Sequence, residues 1–193
     1  MPWEKSFDED VIVDRAMQVF WEKGYNGSSI TDLTDATQIN RGSLYNAFGD
    51  KLNLFIRALT KYDKENRRAI LTDLEALNSP RDAFRGLFDA IIEETIQDEQ
   101  KRGCFLINTA LDLPSHGDKV TEIVLKGLGE LEAFFQRGIE VSQARKQIPQ
   151  HVVPVTTAKA LVALVVAIRV LGRGVFTESS LRAIANEAER LID

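Results

Sequence analysis

Residues 29–48 read SITDLTDATQINRGSLYNAF. Ser29, followed three residues later by Asp32, opens a short helix from Ile30 to about Ala36. A hydroxyl just before the helix and an acid in its first turn satisfy backbone N–H groups that have no helical partner. Thr37-Gln38-Ile39-Asn40 breaks this helix, and Asn40 caps a second one from Arg41 to about Phe48. Leu33, Ala36, Ile39, Leu44 and Phe48 are the apolar residues that would lock the pair at a fixed crossing angle. Two short helices joined by a tight turn have helix-turn-helix geometry. In that geometry the second helix enters a DNA groove about 12 Å wide while the first braces it across the backbone. The outward positions of the second helix are Arg41, Gly42, Ser43, Tyr45, Asn46 and Ala47. They offer hydrogen-bond donors and no acid, and Gly42 permits close backbone approach. Taken alone, a trihelical unit of this kind fits a packing module as well as a DNA reader.

Upstream, Ile12, Ala16, Val19 and Phe20 recur at helical spacing, with Ser6 and Glu9 as a capping box and Gly24 as the left-handed stop. Downstream, Gly49-Asp50 breaks the chain before a long helix from Lys51 to about Leu77, ended near Pro80. Further helices are predicted over Arg81 to about Glu99, Cys104 to Leu113, Val120 to Lys146, Thr156 to Val175 and Glu178 to Leu191. No stretch sustains the alternation of a strand. The reading is an all-α protein of about nine helices, with an N-terminal three-helix unit and a larger C-terminal helical unit.

Of 193 residues, 44% are hydrophobic and 27% charged, an ordinary globular balance, and the net charge is -5. A mildly acidic chain must make any nucleic-acid contact through a local cluster of donors. The single cysteine, Cys104, rules out an internal disulfide and suits a reducing compartment. Met1 to Lys5 lacks the pattern of a signal peptide, and the apolar run Ala160 to Leu171 is short for a span and contains Arg169. A cytoplasmic protein with no membrane partner is expected. His116 and His151 are the only histidines and belong to no metal-spaced or nucleophile motif, and glycine-rich phosphate loops are absent. Neither an enzyme nor a metal or other cofactor is expected.

The stretch Gly24-Tyr25-Asn26-Gly27-Ser28-Ser29-Ile30, continued by Leu33 to Lys51, resembles the TetR family of one-component regulators. The Leu-Tyr-x-x-Phe-x-x-Lys spacing of Leu44 to Lys51 is its most specific part. The resemblance covers about residues 6–66; beyond them only helix count and lengths agree. It implies a DNA-binding domain over 6–66, with its helix-turn-helix at about 29–48, and a ligand-binding and dimerisation domain over 67–193. It further implies a homodimeric repressor of a palindromic operator in double-stranded DNA, released by a small-molecule inducer. By the same resemblance Tyr45, Lys51, Ser29 and Thr31 would contact phosphates, and Arg41, Ser43 and Asn46 would read bases, with Gly42 admitting the backbone. Arginine suits the O6/N7 edge of guanine and asparagine the N6/N7 edge of adenine. Two departures stand out. Gln38 occupies the turn position where the family usually has glycine, so it must tolerate positive φ or shift the turn. Ala47 replaces a larger residue before the phenylalanine. Asp32, Asp35 and Asp50 also argue against strong non-specific binding.

In the C-terminal region, Leu161, Val162, Leu164, Val165, Val166, Ile168 and Val170 make a helix apolar almost all round. Such a helix needs cover on every face, from a second copy or from within one chain. Ligand-pocket candidates are Phe84, Phe88, Ile92, Phe105, Phe134 and Phe135, with Cys104, Asn108, Asp112 and Arg137 as polar anchors. Each phenylalanine fits ordinary core equally well, whereas Asn108 and Asp112 lie four apart on one face of an apolar helix. The short list is Phe88, Cys104, Asn108, Asp112 and Phe134. Arg169 is expected to pair with an acid, locally or across a dimer. Cys104, near Lys101 and Arg102, fits an inert core thiol or a sensor of oxidants and electrophiles. An architectural DNA binder without an inducer is the further alternative: a closed, filled core would favour it, and an apolar cavity of several hundred Å³ would favour an inducer.

Overall fold

A computed structural model describes residues 7–193. Helix α1 (Glu9–Gly27) is capped by Asp8, whose carboxylate accepts from the Asp10 N–H at 2.8 Å. The expected cap, Ser6, lies outside the described residues. Gly24 interrupts α1 at φ 70°, in the left-handed region that favours glycine. Helices α2 (Ile30–Thr37) and α3 (Arg41–Phe48) follow. Between them Gln38 takes φ 59°, so this non-glycine residue accepts the strain. Its backbone N–H reaches Thr34 O and its side-chain amide donates to Asp35 O, local bonds that offset the cost.

The long helix after Gly49 is one rod with a defect. Helix α4 (Lys51–Asp63) passes into a π turn (Lys64–Arg68) and then α5 (Ala69–Glu75). The body is completed by α6 (Pro80–Gln97), α7 (Phe105–Leu111), α8 (Asp118–Ala144), α9 (Pro154–Leu171) and α10 (Glu178–Arg190). Counting α4 to α5 as one, the described residues form nine α-helical rods and no strand.

Two apolar clusters organise the packing. The first gathers Phe20 of α1, Leu33 of α2, Leu44 and Phe48 of α3, and Leu54, Phe55 and Leu59 of α4. It continues into Phe105 and Leu106 of α7 and Val120 and Val124 of α8, so the head shares its core with the body. The second joins α6, α8, α9 and α10 through residues such as Phe88, Phe135, Leu161 and Leu181. By length and composition α9 could also cross a membrane, but Arg169 on its core side pairs with Glu94 of the same chain at 2.5 Å. Ala163, Val166, Ala167 and Val170, at i, i+3, i+4 and i+7, form an outward apolar stripe on α9.

Candidate nucleic-acid interface

The reading helix α3 is held from below and left open above. Leu44 is fully buried and Phe48 nearly so, and Arg57 of α4 lies 4.9 Å from the Phe48 ring while pairing with Glu9 of α1 at 2.7 Å. Asn40 caps α3 by accepting from the Ser43 N–H at 2.8 Å. On the opposite side Arg41, Gly42 and Asn46 are exposed, and Ser43 and Tyr45 are half-buried. The Arg41 guanidinium rests 5.5 Å from the Tyr45 ring centroid, a weak contact that an incoming base or phosphate can displace. A Cβ at Gly42 would come 3.3 Å from the capping oxygen of Asn40, so this glycine also protects the cap.

The remaining expected contacts come from α2 and α4. Ser29 and Asp32 form a complete capping box, with Ser29 N–H donating at 2.8 Å and Asp32 N–H donating back at 3.0 Å. Lys23 donates to the same carboxylate at 2.6 Å. Lys23 first, and Ser29 next, hold the Asp32 carboxyl well below the usual carboxylate range. Asp50 likewise caps α4 through the Asn53 N–H at 2.7 Å. Two of the three acids near the motif are therefore committed to helix ends. Thr31 is exposed in the first turn of α2. Lys51 is half-buried: its ammonium donates to Tyr25 O and lies 4.4 Å from the Tyr25 ring, and burial lowers its pKa. It ties the last turn of α1 to the start of α4.

The head is braced on α7 and the segments on either side of it. Trp21 Nε1 donates to Gly103 O at 3.0 Å, and Arg102 stacks 4.3 Å from the Trp21 ring while donating to Gln18 at 2.7 Å. Asn26 donates to Asp112 at 3.1 Å and to Ser115 at 3.2 Å. His116 stacks on Phe55 at 5.5 Å between centroids, and burial lowers its pKa. These partners lie far apart along the chain, and no local pattern announces them.

Behind this brace is a small cavity of about 50 Å³, lined mainly by apolar residues of α4–α9 and by Tyr62, Arg67, Cys104 and Arg169; it falls short of the several hundred Å³ expected of a preformed ligand site. Of the short list for a ligand, only Cys104 lines it. Asn108 and Asp112 instead face a cleft of about 210 Å³ between α1 and α7, where Asn108 donates to Arg102 O at 2.7 Å. Phe88 packs against Phe135 and, with Phe84, also lines a cavity of about 150 Å³ beside α10, while Phe134 packs against Phe84 and Phe135 and, with Arg137, lines a cleft of about 350 Å³. Ile92 and Phe105 are buried core residues, and Arg137 is tied to Glu75 on the surface. Sequence reasoning missed Tyr62 and Arg67, the latter because the π turn that carries it leaves no mark on apolar spacing.

A three-helix head with a capped, half-open reading helix, braced on an all-helical body, defines a helix-turn-helix DNA-binding transcriptional regulator rather than an enzyme. The chain belongs to the TetR family: the family described as bacterial regulatory proteins, tetR family, matches residues 12–58, and the tetracyclin repressor-like C-terminal domain matches residues 80–184. Among its relatives, the uncharacterized HTH-type transcriptional regulator YezE of Bacillus subtilis is 32% identical over 135 residues, 70% of either chain. The HTH-type transcriptional repressor ComR of Escherichia coli is 29% identical over 151 residues, 76% of this chain and 70% of ComR. A cysteine mutant of the TetR regulator CifR, solved with 26-base-pair operator DNA, superposes with a TM-score of 0.84 at 28% identity, covering 96% of this chain and 97% of that one.

Proposed function

We propose that the protein is a homodimeric, cytoplasmic repressor that reads an inverted-repeat operator with α3 and is released by a small molecule bound in the body. The observation that carries this reading is the asymmetry of α3: Leu44 and Phe48 are buried while Arg41, Gly42 and Asn46 stand exposed. Residues 6–66 are assigned to the DNA-binding head and 67–193 to the ligand and dimer unit. Arg41, Ser43 and Asn46 read bases, Gly42 lets the backbone approach, and Ser29, Thr31, Tyr45 and Lys51 contact phosphates. The operator complex of CifR supports the DNA partner.

A second copy covers the outward stripe of α9 together with α10. Twofold pairing then sets two reading helices about 34–36 Å apart, one turn of DNA. Selection from a random duplex pool tests the whole reading: it should return an inverted repeat with that spacing. Val166→Glu, which sets a charge in the stripe, should give monomers by light scattering and lose the two-site binding. Recovery of no repeat, or a variant still dimeric, would remove the support for this assembly.

In this reading the small cavity behind the brace is the inducer site. It adjoins Cys104, which directly follows Gly103, the residue whose carbonyl holds Trp21 of the head. A ligand that fits only a displaced α7 would favour the DNA-free state, because an effector acts through its difference in affinity for two states. The position of Cys104 on the cavity wall favours a second reading, in which an oxidant or electrophile modifies its thiol. Cys104→Ser should then bind the selected operator normally and resist release by diamide or N-ethylmaleimide. Unchanged release in that variant eliminates the thiol sensor.

A further inference from the structure

Two arginines stand on the cavity wall, and both already have their charge matched. Arg169 is buried and donates from Nη2 to Glu94. Arg67, in the π turn, forks onto Asp63 through Nε at 2.6 Å and Nη2 at 3.0 Å, and Nη2 also reaches Glu130 at 2.6 Å. Arg68 holds Glu130 through two bonds of 3.0 Å and lies 3.1 Å from Asp63. Two guanidiniums face two carboxylates, so the cluster is neutral. One group is left over: Arg67 Nη1 is buried with no hydrogen-bond partner. A donor buried in this way is a standing demand for an acceptor. The protein does not supply one from α8, which passes at Gly127; a Cβ there would come 2.6 Å from Leu106 Cδ2 and 3.3 Å from Asp63 Oδ1. The π turn itself is a local irregularity of the kind that recurs at functional sites.

We infer that the cavity takes a small, uncharged, largely apolar molecule carrying one carbonyl-type oxygen, which accepts a hydrogen bond from Arg67 Nη1. This rests on the proposed role of the cavity as the inducer site. A carboxylate could also accept from Nη1, but it would bring an unmatched charge into an apolar space beside an already neutral cluster. A hydrocarbon would leave Nη1 unmet. At about 50 Å³ the space is well below the roughly 150 Å³ of a cavity that binds benzene, so the ligand is compact or the helices part to admit it.

The test uses the full chain and three probes of one ring size: cyclopentanone, cyclopentane and cyclopentanecarboxylate. Affinities are read from the methyl NMR signals of Ile107, Leu131 and Val165. Cyclopentanone should bind about tenfold more tightly than either of the others. Arg67→Lys, which keeps a cation for Asp63 and Glu130 but deletes Nη1, should lose that preference and leave cyclopentane binding unchanged. If that variant does not fold, the guanidinium nitrogen signals of Arg67 in the unmutated protein give the same answer, shifting with the ketone and not with the hydrocarbon. A carboxylate that binds as well as the ketone, or a preference that survives in Arg67→Lys, overturns the inference. So does a cavity that none of the three enters. Release of the selected operator is measured separately. A ketone that binds at Arg67 without releasing DNA refutes the inducer role while upholding the ligand class; a carboxylate that binds and releases does the reverse.

Discussion

Arg41→Ala should weaken binding to the selected operator by about 5- to 150-fold, the equivalent of about 1–3 kcal/mol, and relax the requirement for one base pair in each half-site. The fold predicts this loss without a stability cost. Arg41 is exposed, and its guanidinium rests loosely on the Tyr45 ring at 5.5 Å. Circular dichroism melts of the variant should therefore overlay those of the parent. Tyr45→Phe is the natural contrast. If Tyr45 meets phosphate as proposed, losing its hydroxyl should lower affinity evenly across sequences, because backbone contacts position the protein without reading bases. Leu44→Ala would also weaken binding, but by opening a cavity beneath α3 that a melt would reveal. Competition titrations against the operator and its single-base variants separate the three. Unaltered affinity and unaltered base preference in Arg41→Ala would remove α3 as the reader.

What could be read from the chain in advance was what is encoded locally. The caps Ser29 with Asp32, and Asn40, act within three residues, so α2 and α3 begin where the sequence says they do. Gln38 shows that a missing glycine need not disturb the turn, since its own side chain and N–H find carbonyls one turn back. Long-range features behave differently. Arg67 reaches the cavity wall through a π turn that apolar periodicity cannot register, and the Glu130 it meets is 63 residues away. Asn108 and Asp112 do share a face, as spacing required, but the face points at α1 and not into the cavity beside Cys104. Their neighbours Trp21, Asn26 and His116 were invisible as a set because each carries an ordinary surface or core signature. The candidate sites split accordingly: the proposed DNA face follows from a twenty-residue segment, and the cavity beside Cys104 follows only from packing.

Phe55→Ala should cost about 3–5 kcal/mol of stability, the range for emptying a buried phenylalanine site, and lower the thermal midpoint by roughly 6–20 °C. Phe55 is 1% exposed. Its ring meets Phe20 and Tyr25 of α1 at 5.1 Å, Phe105 of α7 at 5.5 Å and His116 at 5.5 Å with planes 5° apart. One side chain thus joins the head helix, the helix that follows the Gly103 anchor and the loop beyond it. A residue inside a single domain would lose stability alone. Here the cavity opens at the joint, so the head should also loosen against the body. Hydrogen exchange should accelerate in α1 and α7 together, while α9 and α10, packed in the other cluster, keep their protection. Phe55→Leu, which refills most of the volume, should restore most of the stability and show how much of the coupling needs the flat ring stacked on His116. A loss below about 1.5 kcal/mol, or faster exchange confined to α1, would mean that the ring packs the head without linking it to α7. In that case the polar brace of Trp21, Arg102 and Asn26 would be what couples the head to α7.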